Sequence, residues 1–174
     1  QILKKYHLDD RMPNSIVQHL GEGLKQKIPE TLKPEDFNQA TVRNHLVGTN
    51  IKAAHAASTQ AQQLGYNSII ISTHLTGNTD EVSEFLGGLI DSVSVHGEPV
   101  KRPACLILGG ETTVKIKGNG LGGRNQDLAL HMVEKIKDQA GVLFVSLATD
   151  GEDGPTDAAG AVVDPLTFSD ITEK

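Results

Sequence analysis

The stretch Thr149-Asp-Gly-Glu-Asp-Gly-Pro-Thr-Asp-Ala-Ala-Gly-Ala-Val-Val-Asp164 decides how the rest of the chain is read. It follows Val142 to Ala148, a mostly apolar run opened by Gly141, which reads as a buried strand. Asp150, Asp153 and Asp157 then fall in one loop, spaced by Gly151, Gly154 and Pro155. Glycine admits positive φ and the close approach of a ligand, whereas proline fixes φ and removes a donor. An acidic, stiffly punctuated loop at the carboxyl end of a core strand is where open α/β sheets bind ligands. The competing reading is an Asx-rich surface turn, because Asp-Gly and Gly-Pro are ordinary turn dipeptides.

Immediately upstream, Arg124 to Gln139 reads as a helix with Leu128, Ala129, Met132, Val133 and Ile136 on one face. Before it lies the glycine-rich loop Gly118-Asn-Gly-Leu-Gly-Gly123. Cys105 to Leu108 reads as a strand, Gly109 to Thr113 as a turn, and Val114 to Lys117 as a short strand able to pair with the first as a hairpin. Further back, Ser68 to Ser72 is a short buried strand around Ile69-Ile70-Ile71. A helix follows from Asn78 to about Val95, with Asn78 as N-cap and Glu81 placed for a capping box. Gly87-Gly88 within it implies close packing or a kink, since each Gly costs roughly 1 kcal/mol relative to Ala. Asn50 is placed to cap a helix over Ile51 to Leu64 that Gly65 ends. Thr41 to Val47 alternates like a strand. The first eight residues resemble a helix end, and Pro13 opens a second helix with Gly21 past its end. Strands alternating with helices indicate an α/β fold: layers α/β/α around a mostly parallel or mixed sheet.

The composition is that of a folded domain. Of 174 residues, 37% are hydrophobic and 22% charged, and aromatics are only 3%, so the core must come from Leu, Ile, Val and Ala. The net charge of −6, without a basic cluster, argues against nucleic acid as the partner. No apolar run approaches the roughly 20 residues of a membrane helix. No signal peptide is seen, and Cys105 is alone, which excludes an internal disulfide framework or a cysteine metal site. A cytoplasmic or mitochondrial-matrix protein is expected. The chain opens at Gln1 inside a helical pattern and stops as another segment begins, as an internal piece of a longer protein would.

The loop at 118–123 satisfies G-x-G-x-x-G between a strand and a helix, the setting in which backbone N–H groups meet phosphate at a helix N-terminus. The chain holds 18 glycines and the next acidic residue at a strand end, Asp150, comes late. The pattern therefore favours generic phosphate or carboxylate binding over a dinucleotide. Arg124, at the amino end of the helix, adds a rigid fork of donors suited to an oxyanion; its bland reading is an exposed arginine paired with Glu or Asp. Glu111 is placed to orient Arg124, to hold Mg²⁺ through water, or to act as a base, against a solvated turn carboxylate. Asp150, Asp153 and Asp157 are hard oxygen donors, but Mg²⁺ needs only one or two carboxylates, so one of them would be structural. The Asp157 side chain is placed to cap the backbone at Ala158 to Gly160. The seven histidines are scattered, with His74 alone standing after a core strand. No serine sits in a nucleophile elbow.

Three segments, Gly109-Gly-Glu-Thr-Thr-Val114, Gly122-Gly-Arg-Asn-Gln-Asp-Leu-Ala-Leu130 and Thr149 to Asp164, occur in an order that resembles the glycerate 2-kinase family, whose members are often labelled hydroxypyruvate reductases. The motifs belong to the family's carboxyl-terminal MOFRL region. The resemblance implies that residues 1–96 are the tail of a Rossmann-like domain plus a connector, and that residues 97–174 are a MOFRL-type α/β domain truncated at its end. It further implies transfer of the ATP γ-phosphate to the 2-hydroxyl of D-glycerate, with Mg²⁺, in an interdomain cleft. Carried over onto this sequence, Arg124, Glu111 and Asp150 are the catalytic candidates. Gly110, Thr112, Gly122, Gly123, Asn125, Asp153 and Asp157 are candidates for binding substrate or phosphate, and Asp150 and Asp153 for Mg²⁺. The partners implied are a small-molecule acid and a nucleotide, with homo-oligomer formation open. The family's glycine-rich and lysine-bearing amino-terminal segments and its closing Thr-Gly-rich segment are absent, so the 174 residues alone are expected to be inactive. An NAD(P)H-dependent hydroxypyruvate reductase and a non-catalytic regulatory or assembly module are the other readings.

Overall fold

The computed structural model describes residues 2–8, 11–37 and 42–172. The chain divides into two compact units, Gln1–Leu46 and Val47–Lys174.

In the first unit, helix α1 spans Ile2–Lys5 and helix α2 spans Asn14–Leu24. The expected stop at Gly21 is not observed: α2 runs through Gly21 and Gly23. A Cβ at either glycine would meet only open space, so neither imposes a turn. A 3₁₀ turn covers Pro34–Asp36, where the Asp36 carboxylate accepts the Lys33 backbone N–H at 2.8 Å. None of the residues in these three elements is buried. The expected strand at 41–47 begins outside the described residues, and 42–47 has no regular structure.

The second unit opens with helix α3, Asn50–Gln63. Its cap is Thr49, whose hydroxyl accepts the Lys52 N–H at 3.3 Å, rather than Asn50. The Asn50 amide instead reaches the Thr73 carbonyl at 2.8 Å, tying the start of α3 to the next strand. Strand β1, Asn67–Asn78, is longer than the Ile69–Ile71 run implies; helix α4 spans Thr79–His96 and strand β2 spans Ala104–Thr113. The two strands pair in parallel from Asn67↔Ala104 to Asn78↔Thr113, which makes β1–α4–β2 a crossover unit. The register shifts between Ile70 and Leu75 of β1.

The expected hairpin of 105–108 with 114–117 does not form. β2 continues through Gly109 and Gly110 instead of turning, and 114–117 is not a strand. At Gly110, φ is +154° and a Cβ would run into the Leu75 backbone opposite, so the close pairing of the strands requires glycine there. The expected capping box of α4 is also not observed. The Asn78 side-chain oxygen accepts the Thr113 hydroxyl across the strands at 3.1 Å, and the Glu81 N–H goes to the Asp80 carboxylate at 3.0 Å. Helix α4 runs unbroken through Gly87 and Gly88, and Gly87 lies against the Lys135 side chain of the neighbouring helix, where a Cβ would make ordinary contact at 3.4 Å.

Helix α5, Arg124–Ile136, is the centre of the unit. All five residues of its apolar face, Leu128, Ala129, Met132, Val133 and Ile136, are buried. They pack with Val82 and Leu86 of α4 and with Val163. Leu75 of β1, Leu108 of β2, Phe144 and Phe168 close around this cluster. Val163 belongs to strand β4, Gly160–Val163, which pairs antiparallel with β3, Phe144–Leu147. The stretch 149–164 is thus not one loop to its end: its last residues return as a strand beside β3, whose alternation puts Phe144 and Ser146 inward and Val145 and Leu147 outward. The Asp164 carboxylate then accepts the N–H groups of Leu166 and Thr167, starting helix α6, Leu166–Thr172. The architecture is a mixed α/β fold with a parallel pair and an antiparallel pair of strands joined through α5. No helix among the described residues is long and apolar enough to cross a membrane.

Because Met132 is fully buried at the centre of this cluster, Met132→Ala is expected to cost about 2–5 kcal/mol in urea unfolding. Leu130→Ala, on the exposed side of the same helix, should stay within about 0.5 kcal/mol.

Candidate functional site

The amino end of α5 lacks a local side-chain cap, because its N-cap residue is Gly123. A helix start leaves backbone N–H groups without partners. Here they are taken by a carboxylate from the loop between β3 and β4. Asp153 Oδ1 accepts the Asn125 backbone N–H at 3.0 Å and its side-chain amide at 2.9 Å. Oδ2 accepts the Gln126 backbone N–H at 2.9 Å and its side-chain amide at 3.1 Å. Asp153 is only 1% exposed. Burial pushes its carboxyl upward, but the donors from Asn125 and Gln126 outweigh that and hold it below the usual carboxylate range.

The network extends on both sides. The Ser146 hydroxyl on β3 donates to the Asn125 side-chain oxygen at 2.8 Å. The Gln126 amide also reaches the Thr156 hydroxyl at 2.9 Å, and that hydroxyl donates to the Asp153 carbonyl at 2.8 Å. The backbones interlock as well: a Cβ at Gly123 would strike the Asp153 side chain, and one at Gly154 would strike the Gly122 carbonyl. The segments 122–130 and 149–164 are therefore docked through glycines, not merely adjacent.

Next to this anchor, Arg124 faces Glu111 of β2, with Nη1 to Oε1 at 3.4 Å. Both side chains are substantially exposed, at 41% and 71%. Such a pair contributes at most about 1 kcal/mol to stability. The pair sits at the wall of a cavity of about 510 Å³ that Thr112, Gly122, Gly123 and Pro155 also line. A second cavity of about 560 Å³ shares Gly122 and Gly123 and is bordered by Lys115, Lys117, Asp127 and His131. There the Thr79 hydroxyl donates to the Asp127 carboxylate, which lies 3.6 Å from His131 Nε2.

The structure thus brings together Glu111, Thr112, Gly122, Gly123 and Arg124. It gives others different work. Asp153 cannot serve as a Mg²⁺ ligand in this arrangement, because both oxygens already take two N–H donors each. Asn125 is not a free polar positioner, since both ends of its amide are used internally. At the α5 start itself, Asp153 rather than a phosphate takes the N–H groups of Asn125 and Gln126. Gly110 spaces β1 from β2 and does not line the cavity. Asp150 and Asp157 are exposed and lie outside its lining. Asp150 accepts the Glu152 N–H at 3.3 Å. The turn expected of Asp157 is made by Thr156, whose hydroxyl accepts the Ala158 N–H at 3.4 Å. Sequence reasoning missed Gln126 and Ser146; Gln126 carried a signal, an amide in the first turn of a helix with no N-cap side chain. Among the described residues no three His, Cys, Asp or Glu side chains gather to hold a metal.

A parallel crossover followed by a helix that presents a half-exposed arginine beside a cavity, above a buried aspartate, defines a mixed α/β protein with an Arg–Glu pair at a cavity wall. Residues 104–174 match the MOFRL family. The whole chain aligns with a glycerate 2-kinase of Pyrococcus horikoshii at 39% identity, covering 39% of that protein. It aligns over 96% of its length with a D-glycerate 2-kinase of Thermotoga maritima at 37% identity, covering 37% of that one. The crystal structure of the Thermotoga maritima glycerate kinase matches with a TM-score of 0.73 and 37% identity, over 99% of this chain and 38% of that one. Over the stretch it spans, the chain is similar to these glycerate 2-kinases, and residues 104–174 carry the MOFRL match. It spans under two fifths of the length of these relatives.

Two consequences of the buried carboxylate are measurable. Its ionisation is favoured in the folded chain, so its contribution is present above the unfolded carboxyl pKa of about 3.9 and is lost as pH falls through the lower folded value. The stability gap between the wild type and Asp153→Asn should therefore narrow in melts run from pH 6 down to pH 3. Gly123→Ala, which forces a methyl against Asp153, should destabilise by about 1–3 kcal/mol in the same assay.

Proposed function

We propose that this chain is part of a glycerate 2-kinase, transferring the γ-phosphate of ATP to the 2-hydroxyl of D-glycerate. The observation that carries the reading is Arg124, half exposed at the cavity wall and aligned by Glu111 at 3.4 Å. The similarity to relatives named glycerate 2-kinases supports it. Phosphoryl transfer asks the protein mainly for positioning and charge neutralisation. A guanidinium presents a planar set of donors to phosphate or carboxylate oxygens. Arg124 is assigned to the anionic groups of the bound substrates, and Glu111 keeps its fork from swinging into solvent. Thr112, buried on β2 at the rim, and the side-chain-free surface of Gly122 and Gly123 shape the wall against which a ligand would lie.

The carboxylate of this chain assigned to Mg²⁺ is that of Asp150, outside the cavity lining. Asp153 is saturated, whereas Asp150 is exposed on the same loop with lone pairs to spare. Mg²⁺ commonly takes one or two protein carboxylates and fills its remaining positions with water and substrate phosphates. It would neutralise charge on the nucleotide phosphates. Nothing in the arrangement of Arg124 and Glu111 favours hydride transfer.

We further assign residues 1–96 to the end of a Rossmann-like domain plus a connector and residues 97–174 to the MOFRL-type domain. The parallel crossover β1–α4–β2 straddles that line, since β1 of the first part pairs with β2 of the second. A cytoplasmic location accords with the reading.

A protein carrying this chain, given MgATP with and without D-glycerate, is expected to release ADP only when glycerate is present. Arg124→Ala should lower kcat by roughly 10²-fold or more. The 174 residues alone should show negligible turnover. Glycerate-independent ADP release, or NADPH oxidation with hydroxypyruvate in its place, would reject the assignment.

A further inference from the structure

We propose that Asp153 is a positioning residue for Arg124, so that this carboxylate acts in the reaction through the guanidinium and not through a metal. The inference rests on the kinase reading above for its kinetic consequence, but its geometry stands on separate ground.

Arg124 is the first residue of α5, and Gly123 before it supplies no cap. An uncapped first turn frays, and Arg124 would fray with it. What holds that turn is one carboxylate accepting from Asn125 and Gln126, each through backbone and side chain. The anchor is rigid at its other side too, because Asn125 is tied to Ser146 on β3 and Gln126 to Thr156 in the loop. Arg124 is thereby supported at two points. Its root is fixed by Asp153 through the first turn of α5, and its tip is held by Glu111 from β2.

A buried carboxylate is an expensive cap. Removing a charge from water is costly until its hydrogen bonds compensate, whereas Ser, Asp or Asn at position 123 would cap the same turn locally. A local cap could not make the helix start move as one body with the 149–164 loop. The long-range cap does, and Gly123 and Gly154 leave the space it needs. The negative charge also faces the positive end of α5, which favours ionised Asp153 and a closed first turn.

The test combines two readouts on the complete protein. The first is the NMR signal of the Arg124 Nε–H group, identified by its disappearance in Arg124→Ala, together with hydrogen exchange at the Asn125 and Gln126 amides. The second is glycerate-dependent ADP formation. In Asp153→Asn the amides are expected to lose protection at least about tenfold and the Arg124 signal to broaden, with kcat falling roughly 10–100-fold while KM for glycerate changes less. Combined with Arg124→Ala, the second substitution should add almost nothing, within about twofold. Gln126→Ala removes only one donor and keeps the carboxylate. It should give a smaller loss with the same lack of additivity, and it serves where Asp153→Asn fails to fold. Losses that multiply with those of Arg124→Ala, or an unchanged Arg124 signal and unchanged amide protection in both variants, would overturn the inference. If the wild type makes no glycerate-dependent ADP, the kinase reading falls, and the Arg124 signal alone then decides whether Asp153 positions it.

Discussion

The structure of the second unit depends on one buried ion, the carboxylate of Asp153 beneath the first turn of α5. A charge that deep is tolerated only when its lone pairs are filled. Asn125 and Gln126 fill them, and so convert a cost of burial into a directional link between residues far apart in sequence. The link is possible because neither Gly123 nor Gly154 carries a side chain where the two segments meet. Remove the space, the charge or the amides, and the loop and the first turn of the helix lose their polar link, leaving only the apolar packing of β3 and β4 on α5.

That link determines where α5 lies, and α5 determines the rest. Its apolar face is the shared surface on which α4, the β3–β4 pair and α6 assemble. The same helix carries Arg124 at its exposed end. One element thus holds the core with one face and presents the chemistry with its first residue. This arrangement suits a reaction that demands position more than reactive side chains, because the packing of Met132 and Ile136 steadies the helix that bears the guanidinium.

The legibility of this architecture in the sequence differs from element to element. The apolar face of α5 is plain from a helical period over Leu128 to Ile136. The strands around Ile69–Ile71 and Cys105–Leu108, the helix between them and their parallel relation follow from alternation of pattern. The motif residues Glu111 and Arg124 are visible as candidates, and the structure places them together. The misreadings share a cause. Gly109-Gly110 looks like a turn, yet the partner strand at Leu75 makes it a close crossing in a continuous strand. Gly160 to Val163 looks like the end of an acidic loop, yet pairing with β3 makes it a strand. Local propensity is a weak term, and pairing partners supplied from elsewhere outweigh it.

The roles of the acidic residues divide in the same way. Composition and spacing alone establish that Asp150, Asp153 and Asp157 lie on one glycine-punctuated loop after a core strand, and that an arginine opens the preceding helix. The three motifs in order also carry the resemblance to the glycerate 2-kinases, since they are a property of the chain itself. Which aspartate is buried, and whether it meets a cation or a helix start, is settled only in three dimensions. The three carboxylates are chemically identical in the sequence, and their roles separate only through the donors that folding brings to each. Asp153 receives the first turn of α5, whereas Asp150 and Asp157 remain in water.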